Sequence, residues 1–188
     1  MSIQYDVIII GAGAAGMMSA IEAGKRGRKV LLVDHYKKIG EKIRISGGGR
    51  CNFTNINTNP SKFLSQNPKF VRSALSQYTQ NDFINLINKY EIKFHEKKLG
   101  QLFCDHSAQQ IVEMLLKECE LANVTVLKEF IIKNVDKDND QYLVSTENEE
   151  YSCQSLIVAT GGLSVPKIGA TSFGYEVAKK FDHNIIET

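Results

Sequence analysis

The sequence predicts an α/β fold in which a parallel sheet carries a small antiparallel β-meander. Three observations indicate the parallel sheet: an apolar strand that starts near residue 4 and runs into the glycine turn 11–16, a second apolar run at 30–33 that ends in Asp34, and a third at 155–159 that is followed by two glycines. Buried parallel strands have such continuous apolar runs. Together the segments are typical of a Rossmann-like sheet of the FAD/NAD(P)-binding type.

The glycine turn uses Gly11, Gly13 and Gly16 for separate tasks. The first permits the tight bend, the second lets the backbone approach a pyrophosphate, and the third lets the following helix lie close to the sheet. We expect that helix from Ala14 to about Arg26, with its N-terminal N–H groups and partial positive charge toward the phosphates. An ordinary glycine turn without a ligand is the alternative, and the complete strand–turn–helix context argues against it.

Asp34 closes the second predicted strand, Val30–Val33. A carboxylate at this position accepts hydrogen bonds from a ribose diol, and it repels a 2′-phosphate. The first ligand is therefore predicted to be NAD or FAD rather than NADP.

The middle of the chain is expected to leave the nucleotide-binding unit. Regular periodicity stops after residue 35, and the run 42–55 places three consecutive glycines among polar and cationic residues, so we expect a ligand or a close contact to hold this loop. A helical excursion follows at about 60–106, where Thr79 and Asp82 favour a helix N-terminus. Further elements are predicted as short strands near 92–95 and 101–104 and as a helix whose capping box begins at Ser107.

The chain beyond residue 123 changes to an extended pattern. Four short strands are predicted at 124–127, 130–135, 142–146 and 151–153, and the polar runs 136–140 and 147–150 supply turns between them. We interpret these strands as the antiparallel meander. The parallel strand 155–159 comes next, and a short helix is expected around 174–181.

Composition excludes several classes of protein. The 188 residues are 43% apolar and 23% charged, and no apolar run approaches the ~18 residues of a membrane span. The first strand leaves no room for a signal peptide, so we expect a cytoplasmic protein without a membrane partner. Four scattered cysteines and four separate histidines signal neither a disulfide framework nor a metal site. The net charge of +2 predicts no nucleic-acid partner.

Three glycine-rich segments, at 11–16, 46–49 and 161–162, favour a cofactor longer than NAD. FAD would contact the first segment through its pyrophosphate, the second near the flavin and the third beside the linking chain. In that case the flavin carries the redox chemistry and the protein positions it.

The strings SGGGRCNFTN at 46–55, GAGAAG at 11–16 and ATGGLSVP at 159–166 resemble those of the bacterial YhiN/HI0933-like flavoproteins, FAD-dependent oxidoreductases with a glutathione-reductase-like FAD domain. The resemblance runs over nearly the whole chain. It implies that the chain is one FAD-binding domain over 1–188, the N-terminal portion of such a flavoprotein, truncated at its C-terminus and lacking the remaining family domains. Cofactor affinity is then expected to be weakened.

The resemblance also implies a set of cofactor-binding residues. Ile132 would pack against adenine, although an apolar strand residue there is as readily part of the core. The segment 169–175 departs from the usual family pattern, which puts the contact of an acidic residue there in doubt. The implied cofactor-binding residues are Gly11, Gly13, Ala14, Ala15, Gly16, Asp34, Lys42, Ser46, Gly47, Gly48, Arg50, Cys51, Asn52, Ile132, Ala159, Thr160 and Gly161.

The functional prediction is an FAD-dependent oxidoreductase that passes a hydride through the flavin to a small-molecule substrate, with NADH or NADPH as electron donor. The alternatives are a non-catalytic or truncated dinucleotide-binding fragment and an NAD-binding dehydrogenase domain, but the latter leaves the loop at 46–52 unexplained. No catalytic residue is predicted. Cys51 lacks a CxxC partner, which favours a packing role, and His95 and His106 are expected to be ordinary surface or core residues.

Overall fold

The computed structural model describes residues 2–165 and 169–186, so Pro166 of the family-like string lies outside the described residues. The chain divides into two compact units. The first comprises the chain up to Lys42 and from Leu115 onwards, and the second is Ile43–Met114. The elements are β1 Ile3–Ile10, α1 Ala14–Lys25, β2 Val30–Val33, α2 Glu41–Ile45, β3 Asn52–Asn55, α3 Arg72–Gln77, α4 Gln80–Lys89, β4 Phe94–Glu96, β5 Gln101–Cys104, α5 Gln109–Leu121, β6 Thr125–Leu127, β7 Asn134–Asp138, β8 Gln141–Ser145, β9 Glu150–Val158 and α6 Phe173–Lys180, with 3₁₀ turns at Ser46–Gly49 and Pro60–Lys62.

The first unit is built on a six-stranded sheet in the order β6-β2-β1-β9-β8-β7. Strands β6, β2, β1 and β9 are parallel, whereas β8 and β7 continue the sheet as an antiparallel meander. Ile10 is paired with Val33 on one side and with Val158 on the other, so three parallel strands end at the same edge. The predicted fold class, a Rossmann-like parallel sheet with a small antiparallel meander, is confirmed.

The strand assignments differ from the predicted ones in three places. The segment predicted as the first meander strand is β6, which pairs in parallel with β2 at the opposite edge of the sheet. The two strands predicted at 151–153 and 155–159 are one strand, β9, because it hydrogen-bonds to β1 along one side and to β8 along the other. Polar residues predicted as a turn, Asp136 to Asp138, belong to β7.

The central parallel strands β1 and β2 are buried on both faces of the sheet. On one face, Ile8, Ile10, Leu31 and Val33 pack in a hydrophobic core together with residues of the meander and Val177 of α6. On α1, the side chains of Met17, Ala20 and Ile21 are buried. α1 also lies close to the end of α5, since a β-carbon on Gly24 would come 2.4 Å from the carbonyl oxygen of Ala122. Sheets covered in this way have the continuous apolar strands from which the fold was predicted.

The second unit contains a three-stranded antiparallel sheet in the order β3-β5-β4 beside its short helices. Phe53 packs its ring against Phe83 of α4 and Phe94 of β4, with ring centroids 6.1 and 5.4 Å apart. The predicted capping pair is confirmed, because Thr79 and Asp82 form a complete capping box at the start of α4. In the described part of the chain, no helix combines the length and apolar character needed to span a membrane.

Candidate functional site

The turn between β1 and α1 is held tightly on two sides and is open on the third. Gly11 has φ +105°, and a β-carbon there would come 2.6 Å from the carbonyl oxygen of Ala159. A β-carbon on Gly16 would come 1.8 Å from the carbonyl oxygen of Gly11. By contrast, a β-carbon on Gly13 has no heavy atom within 4 Å. The first and third glycines are therefore required by packing, and the second faces open space.

The N-terminus of α1 begins in that open space. Gly13 is the N-cap residue, no side chain caps the helix, and the first turn contains no acidic residue. The first N–H groups of a helix have no partner within the helix, and the helix dipole adds a partial positive charge. Ala14, Ala15 and Gly16 therefore present backbone donors where an anionic group would be stabilised.

Asp34 is fixed by two backbone donors. The N–H of Ala12 donates to Asp34 Oδ2 and the N–H of Tyr36 donates to Oδ1, both at 2.8 Å. His35 Nδ1 is 3.6 Å from Oδ1. Each carboxylate oxygen retains a further acceptor lone pair, so Asp34 can both order the glycine turn and accept hydroxyl groups.

A cavity of about 330 Å³ lies at the carboxyl edge of the six-stranded sheet. Asp34 and Gly11 form part of its wall, and Ile132 lines the same cavity. Four lining residues that the sequence did not suggest are Phe130, Thr171, Phe173 and Glu176. The cavity thus combines a carboxylate with apolar side chains, as sites for nucleosides do.

Lys42 and the segment after β9 are joined directly. Lys42 Nζ donates to the carbonyl oxygen of Gly162 at 2.7 Å. Gly161 has φ +74°, and a β-carbon on it would lie 3.4 Å from the same Nζ. Ala159 N donates to the carbonyl oxygen of Ile10 at 2.8 Å, which holds this segment beside the glycine turn. The structure therefore brings Lys42, Ala159, Thr160 and Gly161 to one edge with Gly11.

The glycine loop of the second unit has its own ordered geometry. Gly47 and Gly48 have φ +58° and +68°, the left-handed region that favours glycine. A β-carbon on Gly47 would come 2.6 Å from the ring of Phe103, whereas Gly48 has nothing within 4 Å. Ser46 accepts the N–H of Cys51 at 3.0 Å. Arg50 and Asn52 are exposed, so the loop presents polar groups to solvent.

Cys51 and Cys104 are buried in the second unit. Burial raises the pKa of Cys51, an effect that a hydrogen bond with Ser46 partly offsets. Burial also raises the pKa of Cys104 to about 12, with further contributions from Cys51 and Asp105. Both side chains are therefore protonated near neutral pH, which supports a packing role for Cys51.

The histidines differ in their surroundings. His95 Nδ1 is 2.7 Å from Asp105 Oδ1, and its ring stacks on Phe103. No hydrogen bond or ion pair ties the side chain of His106 to another described residue. Within residues 2–165 and 169–186, no group of three or more His, Cys, Asp and Glu side chains is arranged to hold a metal ion.

Sequence reasoning found the glycines and Asp34, which lie in one contiguous motif, and missed the side chains that complete the cavity. Phe130 comes from the segment after β6, and Phe173 and Glu176 come from α6. These residues have no fixed spacing from the glycine turn. A usable signal is the run 169–175, which departs from the family pattern and in part lines the same cavity as Asp34.

The fold and the site together define a dinucleotide-binding α/β protein with a fold of the flavin-dependent oxidoreductase type. The chain belongs to the HI0933-like family, because residues 5–188 match that family's Rossmann domain. Among relatives, it is 53% identical to the ribosomal RNA dihydrouridine synthase of Escherichia coli over 185 residues, covering 98% of this chain and 46% of the relative. It is 48% identical to the protein of the same name from Haemophilus influenzae over 190 residues, covering 99% of this chain and 47% of the relative.

Solved structures show the same fold at low sequence identity. The halogenase PltM in complex with phloroglucinol and FAD aligns with a TM-score of 0.53 and 17% identity, over 95% of this chain and 36% of the halogenase. The chain spans about half the length of the curated relatives it matches.

The relatives correct one expectation. A net charge of +2 predicts no nucleic-acid partner. Both relatives are named for an activity on ribosomal RNA, so that prediction is wrong. The charge averaged over the whole chain was an unsuitable guide, because it conceals how the charges are distributed.

Proposed function

We propose that this chain holds FAD for a reductase that converts uridine of ribosomal RNA into dihydrouridine. The observation that carries the cofactor assignment is the anchored carboxylate of Asp34 beside the uncapped N-terminus of α1. The RNA substrate is inferred from the relatives at 53% and 48% identity, which carry that name. The FAD-containing halogenase of the same fold supports the choice of FAD.

The residues present fit the adenosine half of FAD. The backbone N–H groups of Gly13, Ala14, Ala15 and Gly16 would bind the pyrophosphate, since the space beside Gly13 is open. Asp34 would accept the ribose hydroxyls, and Ile132 would contact the adenine from the wall of the cavity of about 330 Å³. The protein orders this half of the site before the ligand arrives, because backbone hydrogen bonds already hold the carboxylate.

The remaining cofactor contacts are assigned to two further segments. We propose that Ser46, Gly47, Gly48, Arg50, Cys51 and Asn52 bind the part of FAD beyond the pyrophosphate. Arg50 would contribute a fixed positive charge, and the left-handed glycines would direct backbone N–H groups toward an anion. Lys42, Ala159, Thr160 and Gly161 would line the linking chain, where the Lys42 hydrogen bond to Gly162 holds the backbone in place.

Once reduced by a nicotinamide donor, the bound flavin would supply the hydride, and solvent the proton, that saturation of the C5–C6 bond of uracil requires. The role of the protein chain is to bind and orient the cofactor. We propose NADH or NADPH as the source of the electrons and a cytoplasmic location, both of which remain predictions.

The first test is binding. The purified chain should bind FAD with a stoichiometry near one in calorimetric titration, and excess NAD should not displace it. Preference for NAD over FAD would indicate a dehydrogenase domain instead. Binding of adenine nucleotides without any preference for FAD would favour a nucleotide-binding protein with no flavin chemistry.

The second test addresses the substrate. In the source cells, the chromosomal gene is replaced by one that encodes Gly16→Ala, and nucleosides from ribosomal RNA are quantified by mass spectrometry. Dihydrouridine should fall to the level of a strain without the gene, while dihydrouridine in transfer RNA should be unchanged. An unaltered dihydrouridine content of ribosomal RNA would refute the substrate assignment and leave the FAD assignment intact.

A further inference from the structure

The second unit carries an excess of positive charge that the net charge of the chain conceals. Ile43–Met114 contains nine Lys or Arg residues and five Asp or Glu residues, so the remainder of the chain is net negative although the whole is +2. Between Glu41 and Asp82 there are six basic residues and no acidic residue. Such a segment attracts a polyanion.

A groove of about 700 Å³ lies in this segment. It is lined by Lys62, Phe63, Ile56 and Leu99 together with the side chains of an asparagine-rich run, Asn55, Asn57 and Asn59. The run is ordered by its own hydrogen bonds: Asn55 Nδ2 donates to the carbonyl oxygen of Leu99 at 2.9 Å, and Asn59 Oδ1 accepts the N–H of Ser61 at 3.0 Å. These hydrogen bonds therefore fix the backbone and side chains that line the groove.

Large apolar side chains are exposed beside these cations. Leu64, Phe70 and Leu99 are 94%, 79% and 82% exposed, and Phe63 is also exposed. Lys69 and Arg72 flank Phe70 in the sequence. Among the described residues, Lys62, Lys69, Arg72 and Lys98 form no ion pair. Exposed aromatic rings interleaved with unpaired cations are typical of surfaces that bind single-stranded nucleic acid.

We propose that this surface, residues 55–72 with Lys98 and Leu99, binds single-stranded RNA. Lysines would contact phosphates, and Phe63 and Phe70 would stack on unpaired bases, which are sequence-tolerant partners for aromatic rings. Charge complementarity favours RNA over an apolar partner, because the cations have no acidic counterpart in the segment. The inference rests on the proposed function insofar as it supplies a location for the ribosomal RNA substrate.

The test measures binding of a fluorescein-labelled single-stranded 12-nucleotide RNA by fluorescence anisotropy over a series of salt concentrations. The first variant is Lys62→Gln with Lys69→Gln. The plot of log K against log salt has a negative slope, and each lost phosphate contact reduces its magnitude by about 0.7. The plot should therefore become shallower by about 1.4 for this double variant. A matched control, Lys128→Gln with Lys133→Gln, removes two exposed lysines of the first unit and should leave affinity and slope unchanged.

The second variant is Phe63→Leu with Phe70→Leu, which retains apolar side chains and removes the rings. Loss of stacking should lower RNA affinity about tenfold or more, while the salt slope stays the same. FAD affinity is measured for every variant, because an unchanged value shows that the chain is folded.

Three results would overturn the inference. Variants that bind RNA like the unchanged chain would exclude this surface and leave the proposed function standing. Absence of RNA binding by the unchanged chain would exclude the surface, whereas the substrate assignment would still be decided by the dihydrouridine content of ribosomal RNA. Self-association of the chain that Phe63→Leu with Phe70→Leu abolishes, with RNA binding intact, would assign the surface to a second copy.

Discussion

Replacement of Asp34 by Asn tests whether the carboxylate orders the glycine turn before any ligand binds. Both carboxylate oxygens accept backbone N–H groups at 2.8 Å, one from Ala12 and one from Tyr36. An asparagine side chain retains one acceptor oxygen for one of these two backbone N–H groups. Its NH₂ group would face the second N–H, so that hydrogen bond is lost. Hydrogen bonds to charged groups contribute about 1.5–3 kcal/mol each, so the free energy of unfolding without nucleotide should fall by about that amount.

The same substitution should weaken FAD binding. One acceptor for the ribose diol is lost, and an interaction of about 1.5–3 kcal/mol corresponds to roughly 10- to 150-fold in the dissociation constant. Stability is measured by urea unfolding followed by circular dichroism, and FAD affinity by calorimetry. Both changes should appear in one variant, because the same two oxygens would serve the turn and the ligand.

Asp6→Asn is the matched control. The N–H of Lys29 donates to Asp6 Oδ2 at 2.7 Å, and an asparagine oxygen can still accept this single bond. The control should lose less than about 1 kcal/mol and bind FAD normally. If Asp34→Asn is as stable as the unchanged chain and binds FAD equally well, the carboxylate neither orders the turn nor contacts the ribose, and the assignment of the site is refuted.

Further predictions concern packing and pH. Gly16→Ala should destabilise the fold and abolish FAD binding, because its β-carbon would lie 1.8 Å from a carbonyl oxygen. Gly13→Ala should fold normally and bind FAD more weakly. Thermal melts with and without FAD distinguish the two variants. Gly47→Ala should lower the melting temperature through the contact at 2.6 Å with the Phe103 ring, and Phe103→Leu should restore part of the loss if that contact is the cause. Because the folded state raises the pKa of Cys104 to about 12, the folded chain retains a proton that the unfolded chain releases, and the free energy of unfolding should fall from about pH 9 to pH 12. Urea titrations at each pH should show a shallower fall for Cys104→Ala. An identical pH dependence in both chains would contradict the assignment.

Local sequence determined what could be predicted of the nucleotide site. Gly11, Gly16 and Asp34 lie within one strand–turn–helix–strand segment, so their spacing alone indicated their tasks. Phe130 and Glu176 reach the cavity only because β6 joins the sheet beside β2 and α6 packs on the core. The sequence does not separate β6 from the meander, because a three-residue strand carries too little pattern to show whether its partner is parallel or antiparallel.

The polar turn predicted at 136–140 is confined to Asn139 and Asp140, and Asp136 to Asp138 belong to β7 instead, for a related reason. β7 is an edge strand that pairs with β8 on one side, so its outward residues face water and carry charge. Of the residues in β7, only Val135 is buried. A sequence pattern dominated by Asp and Lys is therefore compatible with an edge strand, and only the paired partner shows that the segment is extended.

The failed prediction about nucleic acid has a physical explanation in the distribution of charge. Electrostatic attraction to a polyanion depends on the charges within about one Debye length, ~8 Å at physiological salt, rather than on the sum over the molecule. No acidic residue interrupts the six basic residues between Glu41 and Asp82, whereas the acidic residues of the meander, in 136–150, offset them in the total. A net charge of +2 is therefore compatible with a strongly basic local surface. Charge counted by compact unit points to a polyanionic partner for the second unit, and the exposed phenylalanines of that unit are what distinguish a single-stranded RNA from a simple anion.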